Sequence, residues 1–92
     1  MNGVNVIDVS RCKTIGEIHL QIKEGMGFSE GYGENLDALW DSLTGMKRNP
    51  GDVILRGTQK VPGELRDYMD QVVGIFFEAA GAFGEFCVTL ES

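Results

Sequence analysis

The sequence predicts an α/β fold in which a small three-stranded parallel sheet packs against about three to four helices. Three short segments are rich in strand-forming residues: 4–9, 53–56 and 86–90. Both of the stretches between them carry apolar residues at helical spacing. Strands separated by helices need crossover connections, which favour parallel pairing and right-handed units. We expect the 92 residues to form one domain over residues 1–92.

The N-terminal part of the chain is predicted to be a strand followed by a capped helix. Residues 4–9, Val-Asn-Val-Ile-Asp-Val, favour the first strand because β-branched side chains suit a pleated surface. Thr14 and Glu17 then form the Thr-x-x-Glu pattern of a capping box before an apolar-periodic run. We therefore expect a helix from about residue 15 to residue 24, ended by the glycines that follow.

A glycine-rich loop over residues 27–34 leads into a second, short helix. Its glycines permit backbone conformations closed to other residues, and it lacks the lysine of a phosphate-binding loop. Asn35 is a good N-cap because its side-chain oxygen accepts from the free N–H groups of the next turn. Gly45 suits the left-handed residue just past a helix end. The second helix is therefore predicted over residues 36–44.

The short helix has one apolar face and one acidic face. Its apolar residues follow the spacing i, i+3 and i+7 of a core-facing stripe: Leu36, Leu39 and Leu43. Asp37, Asp41 and Thr44 share another face, with Trp40 at the border. Like charges at i and i+4 repel by roughly 0.2–0.5 kcal/mol, and the helix dipole disfavours an anion near the C-terminal end. These costs leave two interpretations open, a solvated face or a binding surface for which some stability was given up.

The second half of the chain predicts a strand, a long helix and a last strand. Residues 53–56, Val-Ile-Leu-Arg, favour the second strand. The apolar periodicity predicts a helix from about residue 64 to residue 82. Gly74 inside it costs roughly 1 kcal/mol relative to Ala, which indicates close packing there. Residues 86–90 predict a buried third strand, with Cys87 as a small buried hydrophobe.

The composition restricts the class of partner. The net charge is −6, from fourteen acidic against eight basic residues. Phosphate binding needs concentrated Lys and Arg, so we expect no nucleic-acid partner, and the charge favours either a basic protein partner or solubility alone. No apolar run approaches the roughly 18–20 residues of a membrane span, so we expect no membrane partner. Without a secretory signal, Cys12 and Cys87 are interpreted as reduced thiols of a cytoplasmic protein.

An enzyme is the least favoured function from the residues alone. Asp37, Asp41 and Glu78 would have to bind a divalent cation or act as an acid–base pair. No stretch resembles a metal-binding loop, and no nucleophile–base pair is evident. His19 has no second His or Cys nearby, so we interpret it as an exposed or partly packed side chain. We therefore expect no catalytic residue, no metal site and no cofactor.

A nearly unbroken signature runs through the loop and the short helix. It reads Tyr-Gly-Glu-Asn-Leu-Asp-Ala-Leu-Trp-Asp at residues 32–41, then Leu-Thr-Gly at residues 43–45. This signature resembles that of the barstar family, intracellular inhibitors of secreted ribonucleases of the barnase type. Glu78 and Ala79 also fall where the last helix of barstar has a similar Glu-Ala step. The predicted order of elements fits the family over the whole chain.

The resemblance implies a barstar-like fold and an inhibitor of a basic, barnase-type, guanyl-specific ribonuclease, acting in the cytoplasm. In that family the loop and the short helix plug the ribonuclease active site. Asp41 would then stand in for the substrate phosphate among the enzyme's basic groups, and Asp37 would pair with a basic group near the guanine-binding region. The partner-binding residues that the resemblance implies are Tyr32, Asn35, Asp37, Ala38, Trp40, Asp41, Thr44, Gly45 and Glu78.

Two positions differ from the barstar pattern. Gly31 stands where barstar has the first of two consecutive tyrosines, and Met46 replaces a tryptophan. Because aromatic residues often dominate interfaces, these differences bear on the identity of the partner. The alternative function is an acidic binding module of the same fold that recognises a different basic protein. In either case we expect the free protein to be a monomer.

Overall fold

Three strands and three α-helices make up the computed structural model, which describes residues 3–46, 50–83 and 86–91. In chain order they are β1 (Val4–Asp8), α1 (Ile15–Met26), α2 (Leu36–Thr44), β2 (Asp52–Arg56), α3 (Arg66–Phe83) and β3 (Cys87–Glu91). Two short 3-10 turns connect β2 to α3, at Thr58–Lys60 and Gly63–Leu65. Within these described ranges, no helix is long and apolar enough to cross a membrane.

The three strands form one parallel sheet in the order β1-β2-β3. The register places Val6, Ile54 and Thr89 in one row across the sheet. Ile7 and Leu55, one position further along their strands, are fully buried, whereas Val6 is exposed. Because successive side chains of a strand point to opposite faces, the helices cover one face of the sheet and leave the other open. The predicted α/β class with a parallel sheet is confirmed.

α1 begins at the predicted N-cap Thr14, but Glu17 reaches one residue further back than in a regular capping box. The Oγ1 of Thr14 accepts a hydrogen bond from the backbone N–H of Glu17 at 3.1 Å, and Oε1 of Glu17 accepts from the N–H of Lys13 at 2.8 Å. The helix continues to Met26, two residues beyond the prediction, and ends at Gly27, whose φ of 70° is left-handed. Glycine adopts that conformation without the strain of a Cβ, so Gly27 is the residue that ends α1.

Close helix packing occurs at Gly25 in α1 and not at Gly74 in α3. A Cβ on Gly25 would lie 2.7 Å from a side-chain atom of Ile7 and 2.9 Å from the backbone oxygen of Val6. Gly25 therefore lets α1 lie directly on β1, and the prediction that it helps to end the helix is wrong. A Cβ on Gly74 would meet no atom within 4 Å, so the close packing predicted there is also wrong.

β3 is an exposed edge strand rather than the buried strand that the sequence predicts. Cys87, Thr89 and Leu90 are exposed, while Phe86, just before the strand, is buried. In the described sheet β3 pairs with β2 alone, so one backbone edge and the open face of the sheet are both accessible. Residues that favour strands indicate that a strand forms, but they do not indicate whether it is buried. The prediction of a buried Cys87 is therefore wrong.

The core lies between the covered face of the sheet and the helices. Its fully buried side chains come from both kinds of element: Ile7, Ile18, Leu39, Val53, Leu55, Val72 and Phe76. α1 packs against β1, and α2 packs mainly against α3. The core therefore fixes one face of α2 and leaves its other face free.

Candidate functional site

α2 spans Leu36–Thr44, the range that the sequence predicts. At its start, Oδ1 of Asn35 accepts a hydrogen bond from the N–H of Ala38 at 2.7 Å, so the predicted N-cap is confirmed. At its end, the N–H of Gly45 donates to the carbonyl of Asp41 at 2.9 Å, but the φ of Gly45 is −93°. The predicted left-handed cap is therefore wrong. Glycine is favoured there because a Cβ would lie only 2.9 Å from the same carbonyl oxygen.

The leucine stripe of α2 faces the core and its aspartates face solvent. Leu39 and Leu43 are buried, and Leu36 packs against the core. Asp37 and Asp41 are both exposed. Within the described part of the chain, neither carboxylate takes part in a hydrogen bond or an ion pair. The two negative charges are therefore available to a partner.

Trp40 and Thr44 lie at the border of the acidic face. The side chain of Trp40 is 36% exposed. Thr44 is half-buried, and its Oγ1 donates to the backbone carbonyl of Trp40 at 2.8 Å. This bond to a carbonyl four residues earlier satisfies the hydroxyl proton within the helix. Thr44 therefore offers a partner its hydroxyl oxygen as an acceptor.

The loop before α2 owes its shape to a buried tyrosine and to one left-handed residue that is not glycine. Tyr32 has only 7% of its surface exposed. Glu34 adopts a left-handed conformation with φ of 55°, whereas Gly31 and Gly33 do not, so the conformational freedom predicted for these glycines is not used. Gly33 is favoured for another reason, since a Cβ there would lie 3.0 Å from the Cβ of Ala38.

An open groove of about 460 Å³ lies between the loop and α2. Four of the predicted partner-binding residues line it: Tyr32, Ala38, Asp41 and Gly45. Met46 and Gly31, the two positions that differ from the barstar pattern, line it as well. A Cβ on Gly31 would meet only the Oγ of Ser29, at 3.8 Å. The backbone at Gly31 therefore has room for a larger residue, and the missing side chain keeps the groove open.

Known proteins similar to this chain indicate one family. Residues 3–91 match the family model described as Barstar (barnase inhibitor). The chain belongs to the barstar family. A Bacillus subtilis (strain 168) protein named "Putative ribonuclease inhibitor YrdF" is 35% identical over 74 residues, which cover 80% of this chain and 81% of that protein. Family and relative together support ribonuclease inhibition as the general function, with a non-catalytic role for the chain.

The other predicted partner-binding residues of this barstar-family protein are not among those that line the groove. Asn35, Asp37, Trp40 and Thr44 belong to α2 or to its N-cap. Glu78 is exposed on α3, the helix that packs against α2. The predicted residues therefore lie on α2, on the loop before it and on the neighbouring helix. Their contact with a partner stays a prediction.

His19 is a buried residue whose position the sequence analysis missed. It lies on α1 and exposes none of its surface, so the prediction of an exposed or partly packed side chain is wrong. Its Nδ1 lies 2.7 Å from the Oη of Tyr32, and its Nε2 lies 2.6 Å from the Oη of Tyr68. Burial of an imidazole is tolerated when both nitrogens are hydrogen-bonded. The sequence feature that could have predicted its burial is its place three residues before Ile22, on the apolar stripe of α1.

Burial sets the protonation of this buried cluster. It lowers the pKa of His19, although the negative charge of Glu34 acts in the opposite direction. Burial also raises the pKa of the Tyr32 and Tyr68 hydroxyls. The imidazole is therefore neutral and both phenols are protonated at neutral pH.

No metal site is formed by the described residues. Within these ranges, no group of three or more His, Cys, Asp or Glu side chains is placed to hold a metal ion.

Proposed function

We propose that this protein inhibits a basic, barnase-type, guanyl-specific ribonuclease by inserting α2 and the loop before it into the enzyme's active site. The observation that carries the proposal is the pair of exposed carboxylates on α2, Asp37 and Asp41, of which Asp41 lines an open groove. Membership of the barstar family supports the class of partner. The net charge of −6 favours a basic protein, here a ribonuclease of extracellular type, over a nucleic acid.

Asp41 is the proposed mimic of the substrate phosphate. A carboxylate accepts paired hydrogen bonds from an arginine, as a phosphate does. Asp41 lines the groove and stands on a helix that Leu39 and Leu43 anchor in the core. A helix anchored in this way holds a charged group in place better than a loop does. The basic groups that bind the phosphate of RNA would therefore meet Asp41 in a fixed position.

Asp37 and Glu78 are proposed to make the flanking contacts. Asp37 precedes Asp41 by four residues, so their Cβ atoms lie about 5–6 Å apart on one face of α2. It would pair with a basic group near the guanine-binding region. Glu78 is exposed on α3 and would add a contact from the helix that packs against α2. Trp40, with its partly exposed indole, would reach the rim of the interface.

The remaining residues of the proposed surface give it its shape. Ala38 and Gly45 line the groove, and their small size lets groups of the enzyme approach the helix closely. Thr44 lies beside Gly45 at the end of α2. Tyr32 forms part of the groove wall from a largely buried position, and Asn35 holds the first turn of α2. These residues would make the surface complementary in shape to the enzyme, while the carboxylates would bind the enzyme's basic groups.

The proposed place of action is the cytoplasm, with the free protein a monomer. Cys12 and Cys87 are free thiols, as is usual in a reducing compartment. The second candidate function is an acidic binding module that uses the same surface on another basic protein. The open groove at Gly31 favours this candidate, because the surface that a partner meets there differs from that of barstar.

A titration of ribonuclease activity tests the proposal. The purified protein is mixed with barnase-type ribonucleases, and RNA cleavage is measured against inhibitor concentration. We expect cleavage to fall to zero near a stoichiometric ratio. A folded protein that leaves cleavage unchanged would contradict this proposal, and its binding to a different basic protein would then support the second candidate.

Two variants with the same change of charge locate the effect. Asp41→Asn removes a negative charge from the proposed site, and Glu24→Gln removes one from an exposed position on α1. We expect Asp41→Asn to weaken inhibition roughly ten- to hundredfold, and Glu24→Gln to leave it within about twofold. Equal weakening by both variants would mean that net charge alone matters, and the role assigned to Asp41 would be wrong.

A further inference from the structure

Three polar rings from three different elements meet in the core beneath the loop. His19 comes from α1, Tyr32 from the loop before α2, and Tyr68 from α3. The two phenol oxygens lie 2.7 Å and 2.6 Å from the two nitrogens of the imidazole. His19 is fully buried and Tyr32 nearly so, whereas Tyr68 is half-buried. The ribonuclease-binding surface proposed above does not include His19 or Tyr68.

The hydrogen bonds fix the imidazole between the two hydroxyls. A neutral imidazole has one N–H donor and one acceptor, and a phenol hydroxyl both donates and accepts. One ring nitrogen therefore donates to one tyrosine while the other accepts from the second. In the part of the chain that the structure describes, no buried side-chain nitrogen or oxygen lacks a partner. The three rings hold one another in a single arrangement, and Tyr32 is the member that belongs to the loop.

Tyr32 connects this cluster to the proposed inhibitory surface. It lines the groove together with Asp41. Its backbone N–H donates to the carbonyl of Ser29 at 3.0 Å, so the ring is tied to the turn of the loop. Three residues after Tyr32, Asn35 caps α2. A shift of the Tyr32 ring would therefore move the loop wall of the groove relative to Asp41.

We propose that His19 is a positioning residue for the inhibitory surface: its Nδ1 holds the Tyr32 hydroxyl, and thereby the loop wall of the groove, in a fixed place relative to Asp41. Tyr68 braces the other side of the imidazole through Nε2. Because His19 is fully buried, it acts without touching the partner. The inference rests on the function proposed above and adds to it a residue that lies outside the binding surface.

Two substitutions of His19 separate its two hydrogen bonds. The side-chain amide of asparagine occupies the place of Nδ1, and that of glutamine reaches the place of Nε2. His19→Asn therefore keeps a partner for Tyr32 and loses the bond to Tyr68, whereas His19→Gln does the reverse. Both variants remove the ring and leave one hydroxyl without its partner, so both lower the Tm. Each variant is thus the control for the other.

The positioning role predicts different inhibition by the two variants. Measured well below both Tm values, His19→Asn should inhibit the ribonuclease within about threefold of the unchanged protein. His19→Gln should weaken inhibition about tenfold, the change expected from the loss of one hydrogen bond. If the two variants weaken inhibition equally, or each in proportion to its loss of Tm, then His19 is merely structural and the positioning role is wrong.

A measurement on the free protein separates this inference from the proposed function. The backbone amide NMR signals of Gly31 and Gly33 report the position of the loop. We expect His19→Gln to shift these signals and His19→Asn to leave them close to those of the unchanged protein. Unshifted signals in His19→Gln would overturn the positioning role, whatever the ribonuclease assay gives. Shifted signals in a protein that inhibits no ribonuclease would overturn only the proposed function and leave the positioning of the loop standing.

Discussion

The acidic face of α2 (Asp37 and Asp41) and the cluster of His19, Tyr32 and Tyr68 are joined by one loop, and their polar groups are in opposite situations. On α2 the two carboxylates are exposed and, within the described part of the chain, unpaired. In the cluster both ring nitrogens and both phenol oxygens are paired. The difference separates two requirements of the binding surface proposed above. Some groups would be left available to a partner, and others would keep the surface in place.

The largest expected effect is on inhibition and comes from α2. Asp41→Ala removes the proposed phosphate mimic, so we expect inhibition to weaken roughly ten- to hundredfold in a ribonuclease titration. The free energy of unfolding should rise, by about 0.5–1.5 kcal/mol, because repulsion from Asp37 and the unfavourable helix dipole are both relieved. A large loss of stability in thermal melting would assign Asp41 to the fold instead of the interface.

His19→Leu should show the opposite pattern in urea denaturation. Leucine offers no hydrogen bond, so the buried Tyr32 hydroxyl loses its partner, which costs about 1–3 kcal/mol of unfolding free energy. The matched control is Leu20→Ala on the same helix, where the side chain is exposed and the change should stay within about 0.5 kcal/mol. Equal stability of the two variants would mean that the cluster does not hold the fold together.

Gly31→Tyr tests the groove between the two regions. The backbone there has room for a side chain and is not left-handed, so the unfolding free energy should stay within about 0.5 kcal/mol. Because barstar has an aromatic residue at this position, inhibition of a barnase-type ribonuclease should strengthen by about 0.5–1.5 kcal/mol, the range for an added aromatic contact. Gly31→Ala is the control for the backbone change. Weaker inhibition by Gly31→Tyr would mean that the ribonuclease itself occupies the open groove, and the predicted gain from an aromatic residue there would be wrong.

The last prediction is a pH dependence that arises in the buried cluster. The pKa of His19 is lowered from 6.5 by burial, with Tyr32, Tyr68 and Glu34 as the titratable groups that face it. His19 therefore has a lower pKa in the folded than in the unfolded protein. The stability that its neutral imidazole contributes is complete above pH 6.5 and is lost as the pH falls through the pKa of the folded protein. Urea denaturation between about pH 7 and pH 5 should show this loss in the unchanged protein and not in His19→Asn. Parallel pH profiles of the two proteins would contradict it.

α2 could be predicted closely from the sequence because the interactions that define it are local. The cap at Asn35 and the spacing of Leu36, Leu39 and Leu43 fix its bounds and its buried face within one short segment. The exposed side of the helix follows from the same periodicity. The parallel sheet is predictable for a similar reason, since the alternation of strands and helices along the chain requires crossover connections.

The features that could not be predicted depend on elements far apart in the chain. His19 is buried because α1, the loop and α3 bring Tyr32 and Tyr68 to its two nitrogens. Cys87 is exposed because it lies in one row with Val4 and Asp52 on the open face of the sheet, and an apolar pattern alone does not say which face the helices cover. Gly25 and Gly74 look alike in sequence, and only the contact of α1 with β1 distinguishes them. The exposed members of the candidate site were therefore predictable, and the support beneath them was not.

The left-handed backbone of Glu34 has a consequence for the speed of binding. A residue other than glycine rarely visits a φ of 55° in a flexible chain, so the folded structure imposes this conformation just before α2. Folding therefore orders the loop before any partner arrives, and little conformational entropy remains to be lost on association. If this surface inserts into a ribonuclease as proposed, we expect it to bind without a slow ordering step, at a rate set by diffusion and charge.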